Sequence, residues 1–121
     1  MMTAKRIMLV CRKAPYGDSL ARETAEIALA AGAFDQELAI AFIGEGVWQL
    51  ADQQDSMAIE QKNQQKLLSA FELYGITESY VESEALTERN LVKKQLFLDA
   101  ETVNQSQLAE LFEQADMLIT V

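Results

Sequence analysis

The chain of 121 residues contains no histidine, a single cysteine and a single proline, and 10 Lys and Arg against 19 Asp and Glu. Each shortage removes a class of function. Without histidine the chain lacks the commonest metal ligand and the base that Ser and Cys triads use near neutral pH. Neither a resident metal nor self-contained acid–base catalysis is therefore expected. One thiol cannot close an internal disulfide, and a lone thiol fits a reducing compartment. The formal charge of −9 repels a nucleic-acid backbone, which is gripped mainly by clustered Lys and Arg, so no direct nucleic-acid contact is expected. The acids are spread along the chain: nine acids and five bases in residues 1–60, ten and five in residues 61–121. The apolar run Ile7–Cys11 has five residues, below the roughly 7 of a signal-peptide core, and no other stretch nears the roughly 20 that span a bilayer. The expectation is a cytoplasmic protein with no membrane anchor. Neither the P-loop nor the dinucleotide glycine spacing is present, and no cofactor is expected.

What is present is an alternation of strand and helix patterns. Residues 6–11 and 38–43 are apolar on both alternating faces, as strands buried on both sides are. Residues 76–81 read as a third strand, 95–98 as a weaker fourth and 117–121 as a fifth. Between them lies a helix capped by Asp18 or Ser19, with Leu20, Thr24, Ile27, Ala28 and Ala31 on one face and Gly32 beyond its end. A second helix over 57–74 stops at Gly75. A short one runs from a Ser83 cap to Arg89, and a last one carries Leu108, Leu111, Phe112 and Ala115 behind an Asn104 or Ser106 cap. The pattern predicts an α/β fold: one three-layer α/β/α domain over residues 1–121 with a mainly parallel sheet of about five strands. Right-handed crossovers then bring the loops that follow the strands, 12–17, 44–48 and 82–84, to one edge, where a site is expected.

Each feature of that edge has a plain reading beside a functional one. Cys11 ends the first strand, where the charges of Arg12 and Lys13 favour a thiolate, yet a free cysteine in an apolar run is more often a small buried hydrophobe. Arg12, Lys13, Pro15, Tyr16 and Gly17 form a strand-to-helix turn, suited to an anion, to an acidic partner or to a purely structural bend. Gly46-Val47-Trp48-Gln49-Leu50 holds the sole tryptophan, which either caps the core or anchors a protein interface. Glu82 and Glu84 form a carboxylate pair suited to proton transfer or, more simply, to a solvated helix start. The bases Lys5, Arg6, Arg12 and Lys13 make a candidate docking patch.

Taken together, Arg12-Lys13-Ala14-Pro15-Tyr16-Gly17, Ala33-Phe34-Asp35-Gln36-Glu37-Leu38, Gly46-Val47-Trp48-Gln49-Leu50 and Leu86-Thr87-Glu88-Arg89-Asn90-Leu91 resemble the TusC/DsrF family of DsrE-like sulfur-relay proteins. The resemblance covers essentially the whole chain and is nearer to TusC. It implies a non-catalytic subunit of a heterohexamer built with TusB- and TusD-type sister chains, or with DsrE- and DsrH-type ones. Such a complex passes persulfide sulfur toward the 2-thiolation of the tRNA wobble uridine in the Tus branch and serves sulfur oxidation in the Dsr branch. It also implies that the sister subunit keeps its sulfur-carrying cysteine where this chain has Glu82, and a carboxylate cannot form a persulfide. The alternatives are a DsrF-type subunit and a persulfide carrier using Cys11 itself. The interface residues expected are Arg12, Lys13, Pro15, Tyr16, Gly17, Gly46, Val47, Trp48 and Gln49. A homo-oligomer is expected when the chain stands alone, since a face meant for sister chains is left bare.

Overall fold

Ile7, Leu9 and Cys11 belong to the core on one side of strand β1 (Arg6–Cys11), and Met8 and Val10 to the core on the other. All are nearly inaccessible to solvent, as an unbroken apolar run requires of a strand covered on both faces. The structure is a computed structural model that describes residues 6–14, 19–30, 37–51, 57–92, 96 and 98–121. Strands β2 (Glu37–Phe42), β3 (Ile76–Glu82), β4 (Glu101–Val103) and β5 (Met117–Thr120) complete a five-stranded sheet in the order β4-β3-β2-β1-β5. Every neighbouring pair is parallel.

Helices cover both faces of this sheet, giving the three layers expected. Leu20, Thr24 and Ile27 of α1 (Ser19–Ala30) and Leu67 and Phe71 of α2 (Met57–Leu73) lie on the side of Ile7, Leu9, Ile40 and Phe42. Leu108, Leu111 and Phe112 of α4 (Gln105–Gln114) cover Met8, Val10, Ala39, Ala41 and Tyr80 on the other. Of the two candidate caps for α4, Asn104 is the one used. Its Oδ1 accepts the Gln107 amide at 2.9 Å while Gln107 Oε1 accepts the Asn104 amide at 2.8 Å, a reciprocal box that satisfies orphan donors of the first turn.

A register shift in β3 changes which residues reach which layer. Leu38 pairs with Ile76 but Ala39 pairs with Glu78, so one extra residue is inserted. Ile76 therefore joins the core beneath α1 and α2 while Tyr80, four positions on, joins the core beneath α4. In an unbroken strand the two share a face.

Two expectations are corrected. The fourth strand lies at Glu101–Val103, not at 95–98, where Leu96 makes only an isolated antiparallel bridge to Ala51. Gln95 and Phe97 lie outside the described residues. β4 is a three-residue edge strand in which Val103 alone is buried, too short to show a period of two. Ser83 does not cap the short helix α3 (Ser83–Glu88) but is its first residue. Glu82 holds the cap position, and the Ser83 hydroxyl donates to Glu84 Oε2 at 3.2 Å.

Candidate functional site

The loops after β1, β2 and β3 meet at the carboxyl edge of the sheet, as their spacing predicts. β2 runs through Ile43 directly into a 3₁₀ segment, Gly44–Gln49, whose entry needs the left-handed backbone of Gly44 (φ +52°). The segment is nailed down from below by Val47 and by Leu50 just past its end, both fully buried. It also lies directly on the end of β1. A Cβ on Gly46 would sit 2.0 Å from the Cys11 carbonyl oxygen and 2.7 Å from its carbon, so only glycine allows this approach.

Hydrogen bonds then tie the three strand ends together. The Ile43 amide donates to Cys11 O at 3.0 Å and Gln49 Nε2 donates to Lys13 O at 3.1 Å, which fixes the 3₁₀ segment to β1 and its exit. On the other side, Glu82 at the end of β3 accepts the Gly44 amide through Oε1 at 3.0 Å. Arg89, just past α3, donates through Nη2 to Glu45 Oε1 at 2.6 Å and through Nη1 to Ala85 O at 3.1 Å. The guanidinium is largely enclosed, with 16 % of the side chain exposed, so this pair holds the 3₁₀ segment against α3 rather than decorating the surface.

Of the residues expected here, Cys11, Arg12, Lys13, Gly46, Val47, Trp48, Gln49 and Glu82 are brought to this edge. Pro15, Tyr16 and Gly17 lie outside the described residues. Arg12 and Lys13 are exposed and Trp48 is half-buried. Lys13 Nζ is 3.7 Å from Oε1 of the half-buried Glu23. The proposed basic patch does not form as one surface. Arg6 and Arg12 stand at opposite ends of β1, roughly 20 Å apart at about 3.3 Å per residue. Arg6 is engaged at the amino edge by Glu37 at 3.3 Å and Glu78 at 3.5 Å, beside a cavity of about 260 Å³ lined in part by all three. Lys5 lies outside the described residues.

Cys11 does not have the thiolate environment that its basic neighbours would provide in the open. It is 1 % exposed, and burial pushes the thiol up to about 11. The Glu23 carboxylate reinforces that rise, while a backbone hydrogen bond at Lys13 and the Lys13 ammonium only partly oppose it. Glu82 accepts the Gly44 amide and Glu84 the Ser83 hydroxyl. Among the described residues there is no group of three or more His, Cys, Asp or Glu able to hold a metal ion. Nor is any helix among them long and apolar enough to cross a membrane.

Gly44 and Glu45 belong to a loop expected at this edge, whereas Arg89 is a part of the site that the sequence reading did not single out. The signal for Arg89 is its isolation, as the only basic residue between Lys66 and Lys93. The Gly44 signal is its place immediately after a buried strand, where a chain that must turn sharply needs a left-handed residue.

What this edge defines is a protein of the parallel α/β class whose strand-end loops are stitched into a closed platform. The chain belongs to the DsrE/DsrF-like family, whose model matches residues 5–121. It is 33% identical to a TusC homolog of Pseudomonas aeruginosa over 98% of this chain and 99% of that one. It is 31% identical to the intracellular sulfur oxidation protein DsrF of Allochromatium vinosum over 96% of each chain. The fold matches that of the ychN protein of E. coli, with a TM-score of 0.70 and 22% identity over 97% of this chain and 99% of that one.

Proposed function

We propose that the chain is a non-catalytic interaction subunit of a heterohexameric sulfur-relay complex, passing persulfide sulfur toward 2-thiolation of the tRNA wobble uridine without carrying it. The observation that supports this most directly is Glu82. At the strand end where a sulfur-carrying sister chain keeps its cysteine, this chain places a carboxylate bound to the Gly44 amide at 3.0 Å, and a carboxylate cannot accept sulfane sulfur. The lone thiol, Cys11, is buried beneath the 3₁₀ segment with its ionisation suppressed, which speaks against its serving as the carrier instead. The stitched loops are suited to presenting a fixed surface, with the exposed Arg12 and Lys13 and the half-buried Trp48 at its centre.

Co-expression with TusB- and TusD-type chains tests this. The expected outcome is a stable complex of all three and loss of 2-thiouridine from tRNA when this chain is withheld. A chain that neither associates with those partners nor depends on them for solubility is not such a subunit. The similarity to DsrF over nearly the whole chain supports a second reading, a subunit of a sulfur-oxidation complex. In that case the chain assembles with DsrE- and DsrH-type partners, and tRNA thiolation is unchanged by its loss. Mass spectrometry after incubation with a loaded persulfide donor addresses the carrier alternative: a gain of sulfur on Cys11 would establish it.

A further inference from the structure

The two edges of the sheet are finished differently. Exposed sheet edges ordinarily carry a charge, a proline, a bulge or very few residues, because a bare row of peptide groups recruits another strand. β4 follows that rule, with three residues and an exposed Glu101. β5 does not. Its residues Met117, Leu118, Ile119 and Thr120 include no charge and no proline, and Met117 and Leu118 are 43 % and 49 % exposed. Met117 pairs with Ile7 and Leu118 with Met8, so the two exposed side chains stand on opposite faces of the sheet. Among the described residues β5 has one neighbour, β1.

The backbone pattern says what would fit there. The Val121 amide donates inward to Val10 O at 3.0 Å. Peptide groups alternate along a strand, so the N–H and C=O of Leu118 and Thr120 face outward, ready to pair with an extended strand.

We propose that this strand is β5 of a second copy of the chain, joined antiparallel about a two-fold axis through Leu118 so that the two sheets become one. This deepens the subunit role proposed above by naming the surface where the two copies in the assembly meet, and it rests on that role for its biological setting only. The pairing is self-complementary. Leu118 faces Leu118 of the second copy and exchanges both hydrogen bonds with it, and Met117 faces Ile119 on the same side of the joined sheet. It also suits the charge. Two chains of −9 each need a neutral strip on which to meet, and β5 provides one. Asp116, the nearest acid, already accepts the Arg6 amide at 2.8 Å and would lie opposite the Thr120 hydroxyl instead of another carboxylate.

The test uses the full chain. Sedimentation velocity should give a dimer of the 13.5 kDa chain. Leu118→Lys should weaken its dissociation constant by about tenfold or more while leaving the circular dichroism unchanged. Thr120→Pro, which removes an outward-facing N–H, should act in the same direction. Leu118→Cys should cross-link copy to copy under mild oxidation, with the buried Cys11 silent. A monomeric wild-type chain, a dimer indifferent to Leu118→Lys, or a cysteine at 118 that cross-links in the co-expressed complex only to a sister chain would each overturn the proposal. Copurification with the sister chains is scored separately. A chain that joins them without self-pairing keeps the subunit role and loses this interface, and one that self-pairs but ignores them does the reverse.

Discussion

The Glu82 carboxylate and the Gly44 amide, 38 residues apart in sequence, meet at 3.0 Å where β2 and β3 end. The bond gives a loop amide, left over when β2 turns into the 3₁₀ segment, a charged acceptor. Partly enclosed bonds to a charged partner contribute more than neutral ones. Glu82→Ala should therefore destabilise the fold by about 1–2 kcal/mol in urea denaturation, and Glu82→Gln, which retains an acceptor oxygen, by about half as much. Equal losses in the two variants would show that the charge-assisted bond is not what the carboxylate supplies.

Gly46 and Gly44 should respond differently to the same change. An alanine at Gly46 drives its Cβ into the Cys11 carbonyl, which is backbone and cannot swing aside, so a loss of about 3 kcal/mol is expected. At Gly44 nothing among the described residues lies within 4 Å of a new Cβ, and the left-handed φ of +52° is what is penalised, costing about 1 kcal/mol. The order of the two denaturation midpoints checks the assignment. If Gly44→Ala proves the worse, the close packing on β1 is not the dominant constraint.

The contrast between those glycines marks how far the fold and the site were legible in the sequence. Strands β1 and β2 were visible because both of their faces are buried and their apolar runs are unbroken. β4 was not, since a three-residue edge strand with Val103 as its buried residue leaves no period to detect. Gly46 and Gln49 were visible as parts of a motif, but which backbone they meet is decided by the pairing of β1 with β2, which brings Cys11 level with Phe42. The Arg89–Glu45 contact spans 44 residues and follows from the placement of α3 on the 3₁₀ segment, information that no local window contains.

Arg89 is the next residue to test. Its guanidinium reaches Glu45 at 2.6 Å and the Ala85 carbonyl at 3.1 Å from a mostly enclosed position. Arg89→Ala should cost about 1–2 kcal/mol, and Arg89→Lys should recover only part of that, because an ammonium cannot span both acceptors in the same plane. Glu45→Ala, at the exposed end, should cost less than about 1 kcal/mol. Thermal melts at low and high salt separate the contributions: the part lost to screening belongs to the exposed carboxylate.

Thr24 offers a change in the opposite direction. It is fully buried on α1 and its hydroxyl has no hydrogen-bond partner among the described residues. Thr24→Val keeps the shape and removes the unsatisfied group, so a gain of about 1 kcal/mol is expected from chemical denaturation. A loss would mean that the hydroxyl does find a partner in solution.

Cys11 sets the behaviour at alkaline pH. Its thiol titrates near 9.0 when exposed and is pushed up to about 11 in the fold, chiefly by burial. Between those values the unfolded chain releases a proton that the folded chain keeps, so ionisation favours unfolding and stability falls as pH rises from about 9 toward 11. Tyr80, pushed up to about 12 from 10.0 by burial and by its bond to Glu78, extends the same trend upward. Below pH 9 both groups are neutral in either state and contribute no slope. Urea midpoints measured from pH 8 to 11 should therefore decline, and Cys11→Val should flatten the lower part of that decline while leaving the part due to Tyr80. In parallel, a thiol reagent at pH 8 should modify the native chain at least about tenfold more slowly than the unfolded one, because reaction requires both exposure and thiolate. Rapid labelling of native Cys11 together with an unchanged midpoint across this range would show an open, ionised thiol and would return the persulfide-carrier reading to contention.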